Sequence, residues 1–171
     1  MSLAPATPAT PAAPTLTAER RQDAAAVDAL VLRAFGPGRF AKAAERLREG
    51  RAPVRPLSVV AWDDGEIVGC VRLWTVKVGE TPAIFLGPIA VAPDYRRHGL
   101  GAALVEEACA AAAAAGHESV VLVGDVPFFG PLGFVAAPGV VMPGPVDQRR
   151  VLVRRLRAGV AEGLKGDVTA A

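Results

Sequence analysis

The first helix is predicted by apolar residues that recur with helical spacing among polar ones. Val27, Leu30, Val31 and Ala34 follow one another at i, i+3, i+4 and i+7, which places them on one face of a helix from about Arg20 to Phe35. A Gly-Pro-Gly sequence comes directly afterwards, and such a sequence ends a helix. We therefore expect one amphipathic helix early in the chain.

Farther along, the hydrophobic pattern takes the shorter period of β-strands. The segments Leu57–Trp62 and Ile67–Val78 are rich in β-branched and aromatic residues, and Asp64-Gly65 lies in the connection between them. An Asp-Gly pair between two apolar runs is a strong signal for a β-hairpin. The pattern predicts two antiparallel strands here.

The longest pattern runs from residue 84 to residue 116. Residues 84–91 are apolar on both faces, which is typical of a strand that is covered on both sides. Pro93 ends this strand, because proline has no N–H to donate to a sheet. After a short turn, an alanine-rich helix is predicted from Leu100 to Ala115, and Gly116 suits the left-handed residue that follows many helices.

Shorter patterns predict the remaining elements, which are the strands Thr15–Ala18, Ser119–Val123, Phe134–Ala137 and Val151–Arg155 and a second helix, Phe40–Arg48. We expect Val140–Pro145 to bridge the last two strands and Gly159–Lys165 to form at most a short helix. Leu86-Gly87-Pro88 within the central strand predicts a bulge or a splayed ladder. Antiparallel strands followed by strand, helix and strand predict an α/β domain with a mixed sheet.

Composition favours a single domain behind a short tail. Residues 1–14 repeat Ala, Pro and Thr, so we expect a flexible tail there, and residues 15–171 are enough for one domain. The formal net charge is +2, and no segment alternates basic with aromatic residues, so no nucleic-acid partner is expected. No apolar run reaches membrane-spanning length, and residues 1–14 do not have the pattern of a signal peptide, so we expect no membrane partner.

The two cysteines indicate the compartment. Cys70 and Cys109 fall in a predicted strand and a predicted helix, without metal-ligand spacing and without the pattern of a disulfide framework. We therefore expect no metal site and a reducing, cytoplasmic location.

A basic turn, Arg96-Arg97-His98-Gly99-Leu100-Gly101, joins the central strand to the alanine-rich helix. Its glycines allow positive φ and close approach of a ligand to the backbone. The helix start adds unpaired N–H groups and a partial positive charge, and the two arginines add full charges. Such a turn can hold a phosphate or diphosphate. A solvated loop is a more common role for an isolated Arg-Arg-His, whereas a Rossmann site would need a different glycine spacing.

The residues around this turn resemble a known family. Arg96-x-x-Gly99-x-Gly101, preceded by Ile-Ala-Val-Ala-Pro, resembles the R/Q-x-x-G-x-G/A acetyl-CoA signature of the GNAT N-acetyltransferases. The sequence Gly-Asp-Val-Pro-Phe-Phe-Gly-Pro-Leu-Gly-Phe, residues 124–134, resembles the C-terminal half of that family, most closely its bacterial YhbS-like branch. The resemblance covers roughly residues 15–155.

This resemblance implies a fold and an activity. The implied fold is the GNAT acyl-CoA N-acyltransferase fold, in which a mixed, mostly antiparallel sheet is splayed at the central strand and flanked by helices. The implied activity is transfer of an acetyl group from acetyl-CoA to an amine, by direct attack in a ternary complex. The acceptor would be a small molecule or a protein amino group.

The resemblance also implies how acetyl-CoA binds. Backbone N–H groups from Arg97 to Ala102 would hold the diphosphate, with Arg96 or Arg97 as cationic support. Main-chain groups of Ile89 and Val91 would pair with pantetheine as if it were an added strand, and one amide would polarise the thioester carbonyl. The complete expected set is Ile89, Ala90, Val91, Arg96, Arg97, His98, Gly99, Leu100, Gly101 and Ala102.

The chain departs from the family at the expected general acid. The family often has a tyrosine four residues before the glycine of Leu-Gly-Phe, and this position is Phe129 here, beside Phe128. The loss of an acid need not abolish activity, because a thiol with a pKa near ~8.5 leaves tolerably well as thiolate. Asp125, at a strand end, is the best-placed catalytic base, although a turn cap ahead of Pro127 explains it equally well.

Other candidate residues are less specific. Glu80, His98 and His117 are alternative bases, but His98 is better suited to the phosphates and His117 follows a helix end. Trp74 could line the acceptor site, although a tryptophan in a strand is more often part of the core. In the resembled family the second helix lies beside the acceptor cleft, which makes its polar side chains acceptor candidates: Arg39, Lys42, Glu45 and Arg46. Exposed strand edges would allow a homodimer.

Three functions remain open at this point. The first is an acetyl-CoA-dependent N-acetyltransferase, which the intact cofactor signature favours. The second is a non-catalytic acyl-CoA-binding module, in which the two phenylalanines mark lost chemistry. The third is a scaffold that binds polyanions through the arginines without a nucleotide.

Overall fold

A computed structural model describes residues 13–36, 43–158 and 163–171. Its strands are β1 Thr15–Ala18, β2 Val59–Asp63, β3 Glu66–Val78, β4 Thr81–Val91, β5 Ser119–Val123, β6 Val135–Ala136, β7 Val140–Val141, β8 Val151–Arg155 and β9 Gly166–Ala170. Its α-helices are α1 Ala24–Phe35, α2 Leu100–Ala114 and α3 Val126–Phe129. Single 3₁₀ turns lie at Arg21–Asp23, Ala43–Leu47, Pro93–Tyr95, Gly130–Leu132 and Gln148–Arg150.

The strands form a mixed sheet in the order β1-β2-β3-β4-β5-β8-β6. The pair β4–β5 is parallel, and its neighbours along this path are antiparallel. Strand β9 pairs antiparallel with the end of β3 and parallel with β7. This arrangement confirms the expected mixed, mostly antiparallel α/β sheet.

Helices cover the two faces of the sheet. The buried side of α2, which includes Leu104 and Ala108, packs against Val71 and Leu73 of β3. Helix α1 packs Val27 and its neighbours against Cys70, which points to the opposite face because side chains alternate along a strand. The central strands are therefore covered on both sides, as their apolar pattern predicts. Among the described residues, no helix is both long and apolar enough to cross a membrane.

The end of β4 separates from β5. The two strands pair only at Ile84↔Val120 and Phe85↔Val121, whereas β4 stays paired with β3 as far as Val91. A register shift occurs opposite the Leu86–Ile89 stretch, and the Gly87–Pro88 peptide bond is cis. The predicted bulge at Leu86-Gly87-Pro88 is thus present, and it leaves one edge of β4 without a strand partner over residues 86–91.

Arg72 of β3 forms ion pairs with the segment before α1 and with α1 itself. Arg72 lies at the register shift of β3, and its guanidinium donates to Glu19 at 2.7 and 3.0 Å and to Asp28 of α1 at 2.6 Å. The Glu19 side chain is fully buried, whereas Asp28 is largely exposed. The buried pair of Arg72 with Glu19 holds the chain that leads into α1 against β3, and the exposed Asp28 adds a weaker contact from the helix itself.

Several predicted elements need correction. Val140–Val141, predicted as part of a bridge, forms strand β7, and β9 was not predicted at all. Strand β9 escapes the hydrophobic pattern because Val168 is its only buried residue. Of the predicted helix Phe40–Arg48, residues 37–42 lie outside the described residues and Ala43–Leu47 is 3₁₀-helical. The predicted tail and Gly159–Lys165 lie mostly outside the described residues as well.

Candidate active site

The basic turn places backbone donors at the start of α2. Gly99 is the N-cap residue of the helix and has φ 72°, a left-handed conformation that favours glycine. Arg96, Arg97 and His98 are exposed beside it. Arg97 and His98 form no ion pair with any described residue, so both remain available to an anion.

The amide groups of this turn are largely unsatisfied. Within the described chain, no hydrogen bond is donated by the backbone N–H groups of Arg97, Gly99, Leu100, Gly101 and Ala102. The first helical bond is donated by Ala103 to Gly99 at 3.1 Å, and the N–H of His98 donates to Tyr95 at 3.3 Å. Clustered free amides at a helix N-terminus suit a bound phosphate.

Two side-chain contacts hold the basic turn in place. Arg96 donates from Nε to the carbonyl of Val91 at 3.0 Å, which fastens the turn to the end of β4. The Tyr95 hydroxyl donates to the Asp63 carboxylate at the end of β2. That carboxylate raises the pKa of Tyr95 above its ordinary value, first through the hydrogen bond. Tyr95 therefore helps to hold the basic turn against the end of β2.

The free edge of β4 provides strand-like donors. Ala92 donates its N–H to Val68 of β3, so the main chain of every second residue faces β3. Ile89 and Val91 face the other way, toward the gap beside β5. The main-chain groups of Ala90 face β3, and its methyl group is buried against α1. Ala90 therefore lies between the two residues with free main-chain groups without contributing one itself. An extended ligand can add to such an edge.

The start of α2 approaches α3 and β4 closely. A Cβ at Gly101 would lie 3.4 Å from Cζ of Phe128 and 3.9 Å from Cγ2 of Val91. Any larger side chain at this position would fill the space between the basic turn and Phe128. The absence of a Cβ, together with the free amides, fits a diphosphate-containing group such as coenzyme A.

The gap between β4 and β5 forms a cleft of about 500 Å³. It is lined by Val31, Phe35, Ala44, Arg48, Phe85, Leu86, Gly87, Pro88, Ile89, Leu122, Val123, Gly124, Asp125, Phe129, Pro145, Val146, Asp147 and Arg150. Ile89 belongs both to this lining and to the free edge of β4. The edge therefore leads from the basic turn into the cleft.

Phe129 lies on the inner wall of the cleft. It is nearly buried, with its ring edge-to-face against Phe128 at 4.7 Å and against Phe134 at 5.6 Å between centroids. The predicted acid position thus faces the cleft with a hydrocarbon ring. No proton can come from this side chain.

Asp125 lies at the rim of the cleft, directly after β5. Its side chain makes no cap bond to α3, so the expected turn-cap role is not observed. Its Oδ1 accepts a hydrogen bond from Nε of Arg150 at 3.2 Å, and the two side chains are 73% and 49% exposed. This loose pair leaves the carboxylate accessible to a ligand.

The other candidates lie away from the cleft. Glu80, His98 and His117 are not among its lining residues. Trp74 is buried and donates from Nε1 to the carbonyl of Gly87 at 2.6 Å, so it lies behind the β4 bulge. Arg39 and Lys42 lie outside the described residues. The described part of the chain contains no group of three or more His, Cys, Asp or Glu that could hold a metal ion.

Three charged lining residues were not predicted. Arg48 forms an ion pair with Glu45 at 2.7 Å, and both side chains are only 10–12% exposed. Asp147 pairs with Arg149 at 3.0 Å, and Arg150 pairs with Asp125. Arg48 is distant in sequence from Asp147 and Arg150. No local sequence pattern therefore predicts that the three side chains line the same cleft.

Comparisons with known proteins agree with this geometry. The model of the Acetyltransferase (GNAT) family matches residues 25–134. The uncharacterized N-acetyltransferase YhbS of Escherichia coli strain K12 is 35% identical over 118 residues, which cover 67% of this chain and 70% of YhbS. The fold is that of the GNAT acetyltransferases. The chain belongs to the GNAT family.

Solved structures resemble the whole domain. The crystal structure of E. coli YhbS in complex with CoA has a TM-score of 0.81 and 29% identity, and the match covers 95% of this chain and 92% of that one. A GNAT acetyltransferase from Brucella melitensis in complex with acetyl-CoA has a TM-score of 0.69 and 25% identity, with coverage of 92% and 96%. The GNAT fold expected from the sequence is confirmed.

Proposed function

We propose that this GNAT N-acetyltransferase moves an acetyl group from acetyl-CoA directly to an amine in a ternary complex. The observation that carries the proposal is the free edge of β4, which runs from the basic turn into the cleft. One ligand can therefore be bound at its diphosphate and present its other end inside the cleft. Complexes of similar proteins with CoA and acetyl-CoA support the same cofactor here.

The basic turn would bind the diphosphate. Free amides from Gly99 to Ala102 point out of the start of α2, where the helix dipole adds positive potential. Arg97 and His98 are exposed beside them, and Arg96 contributes its charge from the end of β4. Leu100 anchors the turn, because its side chain is buried beneath the sheet.

The edge of β4 would hold pantetheine and the reacting carbonyl. Acetyl-CoA, when bound, supplies an acetyl group activated as a thioester. The N–H groups of Ile89 and Val91 are on the side of β4 that faces the gap, and Ile89 is one of the residues that line the cleft. An amide fixed in this way stabilises negative charge on a carbonyl oxygen without reorganisation.

Asp125 is the proposed base. It lines the cleft, and its exposed carboxylate can accept the proton that the acceptor amine loses. Phe129 has no hydroxyl, so the proton that the leaving sulfur takes up must come from water or from the amine. A general acid contributes roughly 10² to 10⁴ in rate, which leaves room for a slower but functional enzyme.

The same protein would act in the cytoplasm. Cys70 and Cys109 are buried free thiols, and burial raises the pKa of Cys70 to about 12 and that of Cys109 to about 11. Burial makes both thiols unreactive, and the absence of a disulfide between them agrees with a reducing compartment. A homodimer remains part of the proposal through the sheet edges.

The function is tested by release of free CoA thiol from acetyl-CoA in the presence of a panel of primary amines. Amine-dependent release supports transfer. The alternative, an acyl-CoA-binding module without catalysis, is favoured by the missing hydroxyl at Phe129. It predicts protection by acetyl-CoA against thermal unfolding without thiol release for any amine.

A further inference from the structure

We propose that the protein has a second ligand site, which binds a small organic carboxylate at the end of the sheet opposite the candidate active site. The site is a cavity of about 340 Å³ between the starts of β4 and β5, the end of β8 and residues 163–165. Among the described residues, none lines both this cavity and the cleft beside β4. The second site therefore goes beyond the proposed function and does not depend on it.

Strand pairing brings polar side chains together at this cavity. Ser119 of β5 and Arg155 of β8 are directly opposite each other in the antiparallel pair. Both share a face with Val121 and Val153, because residues two apart along a strand point to the same side. Thr81, at the start of the neighbouring strand β4, lines the same cavity. Three adjacent strands therefore each contribute a hydrogen-bonding side chain to it.

Several polar groups of this lining have no partner in the protein. Ser119 is only 3% exposed, yet its hydroxyl forms no hydrogen bond with any described residue. Arg155 and Lys165 are exposed at the cavity, and neither forms an ion pair within the described ranges. A hydroxyl that is largely removed from bulk water gains most from a ligand that bonds it. The cavity thus offers one sheltered hydroxyl and two cationic groups.

The wall that carries Lys165 is fixed by backbone contacts. The N–H of Gly166 donates to the carbonyl of Gly139 at 2.9 Å. A Cβ at Gly139 would lie 2.9 Å from Cβ of Lys165, so the two chain segments approach as closely as a glycine allows. Leu164 packs against the buried apolar cluster beside them. Lys165 is therefore held at the cavity by the fold, without a carboxylate that neutralises its charge.

The charge balance of the cavity selects a singly charged anion. Of the described lining residues, only Glu118 carries a carboxylate, and it pairs with Arg157 at 3.9 Å. Arg155 and Lys165 therefore leave an excess of positive charge. The planar guanidinium of Arg155 matches the two oxygens of a carboxylate. A dianionic phosphate would be repelled more strongly by Glu118, so the charge balance favours a carboxylate.

The remaining surface of the cavity suits a hydrocarbon body. Val135 of β6 lies opposite Val153 on the same face of the sheet and is 60% exposed. Leu164 adds partly buried apolar surface from the other side. A ligand that covers Val135 removes apolar area from water. A volume of about 340 Å³ is at the small end of the range for small-molecule sites, which matches a short aliphatic carboxylate.

The test is isothermal titration calorimetry with hexanoate on the full chain in the presence of saturating CoA, which keeps the cleft beside β4 occupied. Hexan-1-ol, hexylamine and hexyl phosphate have the same hydrocarbon body and replace only the head group. We expect the Kd of hexanoate to be at least about tenfold lower than those of the alcohol and the amine, and lower than that of the phosphate. No measurable binding of hexanoate, or a Kd equal to or above that of any of the other three, would overturn the proposal.

Variants of β8 locate the binding. Arg155→Met should raise the Kd of hexanoate about tenfold, because it removes a charged donor from the head group. Arg154→Met is the matched control, since Arg154 is the preceding residue of the same strand, pairs with Glu106 of α2 at 3.1 Å and does not line the cavity. Its Kd for hexanoate should be unchanged.

A second variant tests the sheltered hydroxyl. Ser119→Ala should raise the Kd of hexanoate about threefold, as expected for loss of one neutral hydrogen bond. Thermal midpoints of the three variants show whether each is folded at the titration temperature. An unchanged Kd in Arg155→Met, or equal losses of affinity in Arg155→Met and Arg154→Met, would overturn the site.

Discussion

Nε of Arg96 donates a hydrogen bond to the carbonyl oxygen of Val91 at 3.0 Å, so the basic turn is tied to the end of the free strand edge. This contact aligns the proposed diphosphate site with the proposed pantetheine site. A single extended cofactor must contact both sites at once, so its affinity depends on how they are placed relative to each other.

Removal of Arg96 should weaken acetyl-CoA binding. Arg96→Ala loses both a cation and the tie to Val91, and we expect about a tenfold rise in Kd by isothermal titration calorimetry, because hydrogen bonds to charged groups contribute roughly 1.5–3 kcal/mol. Arg33→Ala serves as the control, since it removes an arginine from α1, outside the basic turn and the cleft lining. An unchanged Kd for Arg96→Ala would contradict the role given to this side chain.

The glycines of the basic turn should respond differently to substitution. Gly101→Leu places a side chain against Phe128, so acetyl-CoA affinity should fall by more than about 100-fold, while the helix gains roughly 1 kcal/mol from loss of a glycine. Gly99→Ala meets nothing within 4 Å but is strained at φ 72°, so stability should fall by about 1–2 kcal/mol.

Substitution of a second glycine with positive φ distinguishes an effect of backbone strain from an effect on acetyl-CoA binding. Gly50 has φ 65°, and a Cβ added there would likewise meet nothing within 4 Å, but it lies outside the basic turn. Gly50→Ala should therefore lower the thermal midpoint as Gly99→Ala does and leave acetyl-CoA affinity unchanged. Loss of affinity in Gly50→Ala but not in Gly101→Leu would count against the site.

Restoration of a hydroxyl at Phe129 should increase turnover. Phe129→Tyr places an O–H at the wall of the cleft, and we expect kcat to rise at least about tenfold, within the range of one general acid. Phe134→Tyr is the control, because Phe134 packs against Phe129 but does not line the cleft. Unchanged kcat in Phe129→Tyr would show that no acid is missing at this position.

The buried ion pair beneath α1 should contribute strongly to stability. Glu19→Ala leaves the guanidinium of Arg72 buried beside Asp28 alone, and the free energy of unfolding in urea should fall by about 3–5 kcal/mol. Asp28→Ala removes the exposed partner and should cost less than about 1 kcal/mol. Similar losses in both variants would contradict the asymmetry inferred from burial.

The parts of the fold that sequence predicts are those with strong local patterns. The hairpin around Asp64-Gly65, the double-sided strand β4 and the helix after the basic turn are all present where the pattern places them. The disturbance at Leu86-Gly87-Pro88 was also predictable, because proline cannot donate to a ladder and an adjacent glycine often marks a bulge. Strand β9 was not, since its polar residues are ordered by pairing with β3 and β7.

The candidate site likewise has one part that the sequence predicts and one part that it does not. The basic turn was predictable because its glycines, arginines and helix start are contiguous in sequence. Three charged residues of the cleft lining were not predictable, because Arg48, Asp147 and Arg150 come together only through the tertiary structure and are paired with other side chains there. The burial of Trp74 behind Gly87 likewise depends on the β4 bulge, which local sequence does not resolve to single contacts.

The most direct test of the central claim is a crystal structure of the protein with coenzyme A. The account predicts that the diphosphate lies within hydrogen-bonding distance of the backbone N–H groups from Gly99 to Ala102, and that pantetheine runs along Ile89 and Val91 into the cleft. A diphosphate bound elsewhere, with the start of α2 covered by its own side chains, would contradict it.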